Sequence, residues 1–292
     1  MVNTANTNPG ALIALQNHTR ITGRLEDAQR RVSTGLEVST EQDYPALFAL
    51  AQQQRAELGS IKSVQQGLRV GISTVDAALA AGESISEVLV GMRALASQAA
   101  DPSLNAADLA VVSDQYIELR DHLTRLVDTA EFGGRNLLAS GAGNMTLVAG
   151  PDGATSITVN AQDLSVGGAN VTVSPSATPF AATPDDPVMS GGDESKTSSE
   201  VAQAELTAIE ASIANVSTAL GALGGGSNSL DLQNRILMRV SNALEISIGN
   251  LVDADLARER SSLQALQVQQ QLAIQTLSIT NTPPNTILAL FA

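Results

Sequence analysis

Chemistry in this chain would have to come from very few residues. His18 and His122 are its only histidines, and there is no cysteine. The pair could in principle supply a metal ligand, a proton acceptor or a pH switch. His18, however, falls on an apolar helical stripe, where it reads as a packed residue. His122 lies beside Asp121 and three residues before Arg125, as at a helix surface. Without cysteine there are no disulfides, thiolate nucleophiles or thiolate metal sites. No HExxH zinc motif, G-x-S-x-G nucleophile elbow or phosphate-binding loop occurs. Asp253, Asp255 and Glu259 could be imagined around a cation, but acids there more simply favour the positive end of a helix. Asp185, Asp186, Asp193 and Glu194 lack the EF-hand spacing for calcium and read as a solvated loop. The expectation is no catalytic site, no cofactor and no metal.

The composition points elsewhere. Of 292 residues, 43 % are apolar, yet two are Tyr, four Phe and none Trp. Ala, Leu, Val and Ile fill helical bundles adequately and compact enzyme cores poorly. The formal charge of −14 argues against a nucleic-acid partner, which needs a concentrated basic surface. It also argues against an anionic membrane surface. The longest apolar runs fall short of a membrane span, and the start MVNTANTNPG lacks the basic and apolar regions of a signal peptide.

Helical patterning dominates both ends. From Ala11, residues Ala14, His18, Ile21, Leu25, Ala28 and Val32 recur at 3,4 spacing and form one stripe on a helix from about Gly10 to Gly35. Near the other end Leu256, Leu263, Leu266, Ala273 and Leu277 do similarly, with Val268, Leu272 and Ile279 widening the stripe. Each helix alone is too thin to be stable, because isolated helices gain most stability from packing an apolar face. Pairing first with last, and then packing the pair against copies of itself, satisfies both. Pro284 and its neighbour Pro283 should stop the last helix before Leu288, Leu290 and Phe291.

Between the ends, residues 36–44 read as a connector. Pro45 is placed to open a long helix to about Ala100, since Pro fits a first helical turn. Gly59, Gly67, Gly71, Gly82 and Gly91 lie inside it, each costing about 1 kcal/mol unless packing exploits the missing side chain. Asn105-Ala-Ala-Asp108 has capping-box spacing and should start a helix to Thr129. Thr197-Ser-Ser-Glu200 should start a third, with Val201, Leu206, Ile209, Ile213, Val216 and Leu220 on its face, which Gly224-Gly225-Gly226 threatens to break. Residues 141–195 change character. Short alternating runs at 145–148, 156–159 and 169–173 predict strands. Six acidic residues and no basic one predict a solvated segment that buries little core.

Several stretches carry a resemblance to bacterial flagellins, particularly the short alphaproteobacterial ones. They are NTANTN (3–8), ALIALQN (11–17), RRVSTGLEV (30–38), EFGGRNLL (131–138) and GNLVDADLARERSSLQALQVQQQLAIQTLSITNTPPNTILALF (249–291). The resemblance covers roughly residues 1–140 and 197–292. It implies a mainly α, elongated helical coiled-coil bundle built from both chain ends with a small central β-rich insertion. Residues 1–35 and 253–292 would form an inner coiled-coil domain, 36–44 a connector, 45–140 with 197–252 an outer helical rod, and 141–196 a surface-exposed variable domain.

The implied function is a secreted, non-enzymatic subunit that polymerises into the extracellular flagellar filament for swimming. The alternative within the superfamily is a hook–filament junction protein; an adhesin or an enzyme follows well behind. Implied partners are further copies of the chain, the flagellar type III export apparatus with its chaperone, the filament cap and hook-associated junction proteins. Assembly would rest on Leu12, Ile21, Leu25, Val32, Leu256, Leu263, Leu266, Leu272, Leu277, Leu290 and Phe291. Uncharged glutamines at the C-terminal end (Gln264, Gln267, Gln269, Gln270, Gln271 and Gln275) would suit a channel that passes unfolded chains.

Three departures from the family pattern stand out, one of them the Gly224-Gly225-Gly226 insertion that interrupts the outer-domain helix pattern. STEQDYPALFAL (39–50) replaces a segment like SAxDDAAG, which puts Tyr44 and Pro45 at the domain joint. In the stretch resembling the innate-receptor contact LxRxRELxxQ, Arg93, Leu95 and Gln98 match, while Gly91 and Ala94 remove an Arg and a Glu.

Overall fold

The computed structural model describes residues 8–181 and 197–281. Among the described residues five helices carry the fold: α1 (Pro9–Thr34), α2 (Pro45–Ala99), α3 (Ala106–Thr129), α4 (Ser198–Val252) and α5 (Leu256–Asn281). Among the described residues between α3 and α4 there are four short strands: β1 (Glu131–Phe132), β2 (Arg135–Asn136), β3 (Met145–Val148) and β4 (Ser156–Val159). β1 pairs with β2 and β3 with β4, both antiparallel, the second pair in register from Met145↔Val159 to Val148↔Ser156. The chain separates into two compact units, one of Met1–Leu58 with Asn242–Ala292 and one of Gly59–Ser241.

Helix starts follow the local chemistry. Asn8 caps α1 by accepting the Ala11 N–H at 3.1 Å, and Gly35, at φ 73°, closes it by donating to the Arg31 carbonyl. At α3 the Asn105 side chain accepts from the Ala107 and Asp108 N–H groups, and its amide donates back to the Asp108 carboxylate. Asp108 thus closes on the cap's side chain, where the N3 residue of a full capping box would accept the backbone N–H of the cap. Thr197 and Glu200 form the reciprocal pair at α4: Glu200 Oε2 accepts the Thr197 N–H at 2.8 Å, and Thr197 Oγ1 accepts the Glu200 N–H.

The glycine triplet does not break α4, which continues from Ser198 to Val252. The buried positions explain why. Ala202, Glu205, Ile209, Ser212, Val216, Ala219, Leu223, Leu230 and Leu237 keep one 3,4 phase across the triplet, and Gly226 occupies the seam position between Leu223 and Leu230. A Cβ built on Gly226 would lie 2.9 Å from a methyl of buried Val159 on β4, so the missing side chain is the space into which β4 packs. Gly82 on α2 similarly admits Leu220 of α4, with Leu164 close by, and Gly71 admits Leu147 of β3. Nothing approaches Gly59 or Gly67 within 4 Å, so close packing accounts for only some of the helical glycines.

The segment after α3 differs most from expectation. Residues 141–181 are not a solvated stretch with little core: Met145, Ala149, Val159, Leu164, Val171, Val173 and Phe180 are all buried, while Asp185, Asp186, Asp193 and Glu194 lie outside the described residues. Nor is 169–173 a strand. Its sole ladder contact among the described residues is an isolated bridge between Val166 and Val171. The alternating pattern does mark extended chain, but its hydrogen-bond partners are helix side chains instead of a second strand. EFGGRNLL forms the β1–β2 hairpin, and Asn136 ties it down by donating to the Val127 carbonyl at 2.6 Å and accepting from the Leu138 and Ala139 N–H groups.

The triplet offers an internal control. Nothing lies within 4 Å of a Cβ at Gly225, so Gly225→Ala should stabilise the chain by roughly 0.5–1 kcal/mol through helix propensity. Gly226→Ala meets stiff, buried Val159 and should destabilise by about 1–3 kcal/mol. Urea unfolding of the two variants checks this, and equal shifts would contradict the seam assignment.

Candidate assembly interface

The two chain ends meet as an antiparallel helix pair. At one end of it the Asn8 amide donates to the Thr280 carbonyl at 2.7 Å. At the other, Arg31 approaches Glu259 at 3.4 Å, the Ala254 N–H donates to the Gly35 carbonyl at 2.9 Å, and the Glu37 N–H donates to the Val252 carbonyl at 2.7 Å. A bridge between Leu36 and Asp253 closes the same end. α1 packs on α5 along this pair.

The less exposed residues of α1 include Ala11, Ala14, His18, Ile21, Leu25, Ala28 and Val32, the stripe read from spacing. On α5 the matching series is Glu259, Leu263, Leu266, Gln270, Ala273, Leu277 and Thr280, at 4,3 spacing throughout. Leu256 is outside it and exposed, and Gln270 is inside it. A search for apolar residues passes over Gln270; the 4,3 count from Leu266 to Ala273 would have found it. The other five terminal glutamines are exposed. His18 lies in the seam as a packed residue, and His122 is exposed on α3. Among the described residues no group of acidic or histidine side chains is arranged to hold a metal.

The residues expected at the assembly interface therefore divide into two sets. Ile21, Leu25, Val32, Leu263, Leu266 and Leu277 belong to the seam inside the pair. Leu12, Leu256 and Leu272 face outward, and with them Ile13 (60 % exposed), Leu15, Val268, Ile274 and Ile279 (72 %). The first set makes the pair, and the second gives it an apolar exterior. Leu290 and Phe291 lie outside the described residues.

Tyr44 and Pro45 sit where the connector ends. Tyr44 is non-helical, its carbonyl accepts the Phe48 N–H at 2.9 Å, and α2 begins at Pro45. Below them Val38, Ala51, Ile248 and Val252 form a small core flanked by Leu36, Phe48, Leu58 and Leu251. The connector is shaped by Asp43. Its Oδ2 accepts from the N–H and hydroxyl of both Ser39 and Thr40 at 3.0–3.2 Å, and Arg30 lies 3.7 Å from the other oxygen. These hydrogen bonds, the Thr40 N–H first, hold the carboxyl below its ordinary value of 3.8. Arg93 and Gln98 are exposed on α2 and Leu95 is half-buried.

One constellation has no counterpart in the sequence reading. Buried Tyr116 of α3 donates to Glu205 of α4 at 2.7 Å, and the same oxygen accepts the Ser174 N–H at 2.9 Å. Burial and the adjacent carboxylate push the Tyr116 hydroxyl far above its usual pKa. Tyr116 also meets Phe180 edge-on, with ring centroids 4.9 Å apart. An acid at a seam position of α4, seven residues before Ser212, was the available signal.

Comparisons with known proteins agree with this architecture. The model of the bacterial flagellin N-terminal helical region matches residues 5–142, and that of the bacterial flagellin C-terminal helical region matches residues 206–291. The chain is 35 % identical to flagellin FljM of Caulobacter vibrioides, over 99 % of each chain. It is 29 % identical to a flagellin of Brucella melitensis, over 98 % of each. A Vibrio parahaemolyticus structure described as a flagellar hook-associated protein shares the fold at TM-score 0.56 and 16 % identity, covering 72 % of this chain and all of that one. The chain belongs to the bacterial flagellin family. It is a structural subunit of the flagellar filament, and the relatives lend no stronger support to a junction protein.

The Asp43 clamp gives a pH expectation. A carboxylate whose folded pKa is depressed contributes stability that is fully present above its unfolded value and lost as pH falls through the folded one. Asp43→Asn should thus be less stable than the parent at pH 7. The gap should close only below about pH 3.8. Paired denaturation curves from pH 7 to pH 2.5 check it; a constant gap would refute the clamp.

Proposed function

We propose that the paired ends form the inner domain of a self-assembling tube, and that the outward apolar residues of α1 and α5 are covered by neighbouring copies. The observation that supports this is the pair itself, which spends one face of each helix on the partner helix and leaves Leu12, Ile13 and Leu15 at the start of α1, and Leu256, Val268, Leu272, Ile274 and Ile279 on α5, exposed. Covering a half-exposed Leu or Ile recovers roughly 1 kcal/mol. That is small per residue and substantial when repeated along two helices in every copy. The exposed glutamines Gln264, Gln267, Gln269, Gln271 and Gln275 would then give a neutral polar lining to a central channel.

On this reading residues 1–35 and 253–292 are the inner domain and 36–44 the joint stiffened by Tyr44-Pro45. Residues 45–140 and 197–252 form the outer rod, and 141–196 the outermost part. The chain is secreted unfolded through the flagellar export apparatus with a chaperone, assembles beneath the filament cap on hook-associated junction proteins, and has no enzymatic activity. Arg93, Leu95 and Gln98 without the first Arg and the Glu give a weak innate-receptor contact. Loss of charged partners at an interface costs a few kcal/mol each.

Leu12→Asp with Leu272→Asp should leave far-UV helicity within error of the parent and abolish polymerisation. Removing residues 278–292 should do the same while leaving the Gly59–Ser241 unit folded. Electron microscopy of seeded assemblies decides it, and filaments of normal length from either protein would overturn the proposal.

A further inference from the structure

Asp152-Gly153 is the one place in the sequence where glycine follows Asp or Asn. It lies at the exposed tip of the β3–β4 hairpin, in the turn Gly150-Pro151-Asp152-Gly153. The Asp152 carboxyl is folded back over its own main chain. Its Oδ1 accepts the Ala154 N–H at 3.2 Å, and a Cβ built on Gly150 would meet the same oxygen at 2.7 Å. This side-chain turn sets the carboxyl carbon alongside the next peptide unit. The nitrogen of that unit belongs to Gly153, at φ 72°, with nothing within 4 Å of where a Cβ would stand.

Other aspartates among the described residues make the same turn and lack the same neighbour. Asp101 Oδ1 accepts the Ser103 N–H at 2.9 Å, Asp163 Oδ1 the Ser165 N–H at 3.0 Å, and Asp255 Oδ1 the Ala257 N–H at 3.0 Å. The residue after Asp101 is Pro102, which has no N–H to lose. Leu164, after Asp163, is buried, and its N–H donates to the Leu138 carbonyl at 2.9 Å. Leu256, after Asp255, opens α5 and carries a bulky side chain. Asp152 differs from these three in having an unshielded nitrogen next to it. The contact that opposes attack by that nitrogen is the Gly153 N–H on the Gly150 carbonyl at 3.2 Å. It is a long hydrogen bond at an exposed tip, where local opening leaves the strand pair intact.

We propose that Asp152 is a site of spontaneous isoaspartate formation, and that conversion loosens the tip of the β3–β4 hairpin. The Gly153 nitrogen forms a bond to Asp152 Cγ and gives up its proton, and the carboxyl hydroxyl leaves with that proton as water. A five-membered succinimide results, and the attack is unimolecular because both groups belong to one chain. The Ala154 N–H faces the oxygen on which charge builds during the attack. Water then adds to the Asp152 main-chain carbonyl carbon, and the bond from that carbon to the Gly153 nitrogen breaks. The chain now runs through Cβ beside a free α-carboxylate, with no net gain or loss of atoms. The turn is longer by one methylene and has lost the hydrogen bond from Ala154. It is tied down by the Ser60 hydroxyl on the Pro151 carbonyl and by the Ala149 N–H on the Thr155 carbonyl, both at 2.8 Å. The added length therefore falls between two fixed points.

The test is prolonged incubation of the full-length monomer at growth temperature and neutral pH, followed by peptide mapping that separates isoaspartyl from aspartyl peptides. Isoaspartate should appear at Asp152 before it appears at Asp101, Asp163 or Asp255. The rate in the folded chain should lie within severalfold of that in chain held unfolded in urea. Asp152→Asn, whose amide leaves as ammonia more readily than a carboxyl loses water, should convert at least tenfold faster and release ammonia. Asp152→Glu would need a six-membered ring and should not convert. In the converted protein the Ala149 amide should exchange hydrogen faster while α2 and α4 stay protected. Conversion confined to the unfolded chain, conversion at Asp163 as fast as at Asp152, or unchanged Ala149 exchange after full conversion would each overturn the proposal.

Discussion

Narrow helices that lack large aromatic side chains must find a partner along their whole length. That constraint organises this molecule. The seam of α4 keeps its 3,4 phase from Ala202 to Leu237 through three consecutive glycines. Poor intrinsic propensity, about 1 kcal/mol per glycine, is offset because packing acts on the seam as a whole. A glycine at a seam position is then a means of docking something closer than another residue would allow. Val159 uses it at Gly226, and Leu220 does at Gly82.

Polar residues in the same seam have a second task. Glu205, Ser212 and Gln233 occupy positions that Leu would fill in a simple coiled coil, and each addresses a main-chain group between residues 149 and 174. Gln233 donates to the Ala149 carbonyl at 2.6 Å, Ser212 accepts from Thr172, and Glu205 accepts from Ser174. The region between α3 and α4 is thereby fixed by side chains of α4 with few strand ladders. This accounts for its large buried share despite its two four-residue strands.

In the unit that contains the termini the logic is simpler. Two thin amphipathic helices close antiparallel, tied at both ends by hydrogen bonds from Asn8 and Ala254. The seam is lined with Ala, Leu, Ile and Val, with His18 and Gln270 filling turns. The surfaces turned away mix polar residues with exposed apolar ones, Leu12, Ile13 and Leu15 at the start of α1 and Val268, Leu272, Ile274 and Ile279 along α5, in a family whose members polymerise.

Local signals were legible wherever one short stretch settles the matter. The caps at Asn105 and Thr197, the stop at Gly35, the start at Pro45, the α1 stripe and the strands at 145–148 and 156–159 all depend on residues within one or two turns of one another. Family membership was legible for a related reason, since terminal motifs in the right order leave few alternatives. Tertiary structure alone decided the rest. Whether Gly224–Gly226 breaks a helix depends on Val159, far away in sequence. Whether 169–173 is a strand depends on what faces its N–H groups, and that of Thr172 meets a serine on α4, as the next one facing that way, at Ser174, meets a glutamate. Whether residues 141–181 bury a core depends on their apolar residues finding a place against the helices, which no count of charges reports. Periodicity identifies which side of an element must be buried, whereas the partner that buries it is chosen only when distant segments meet.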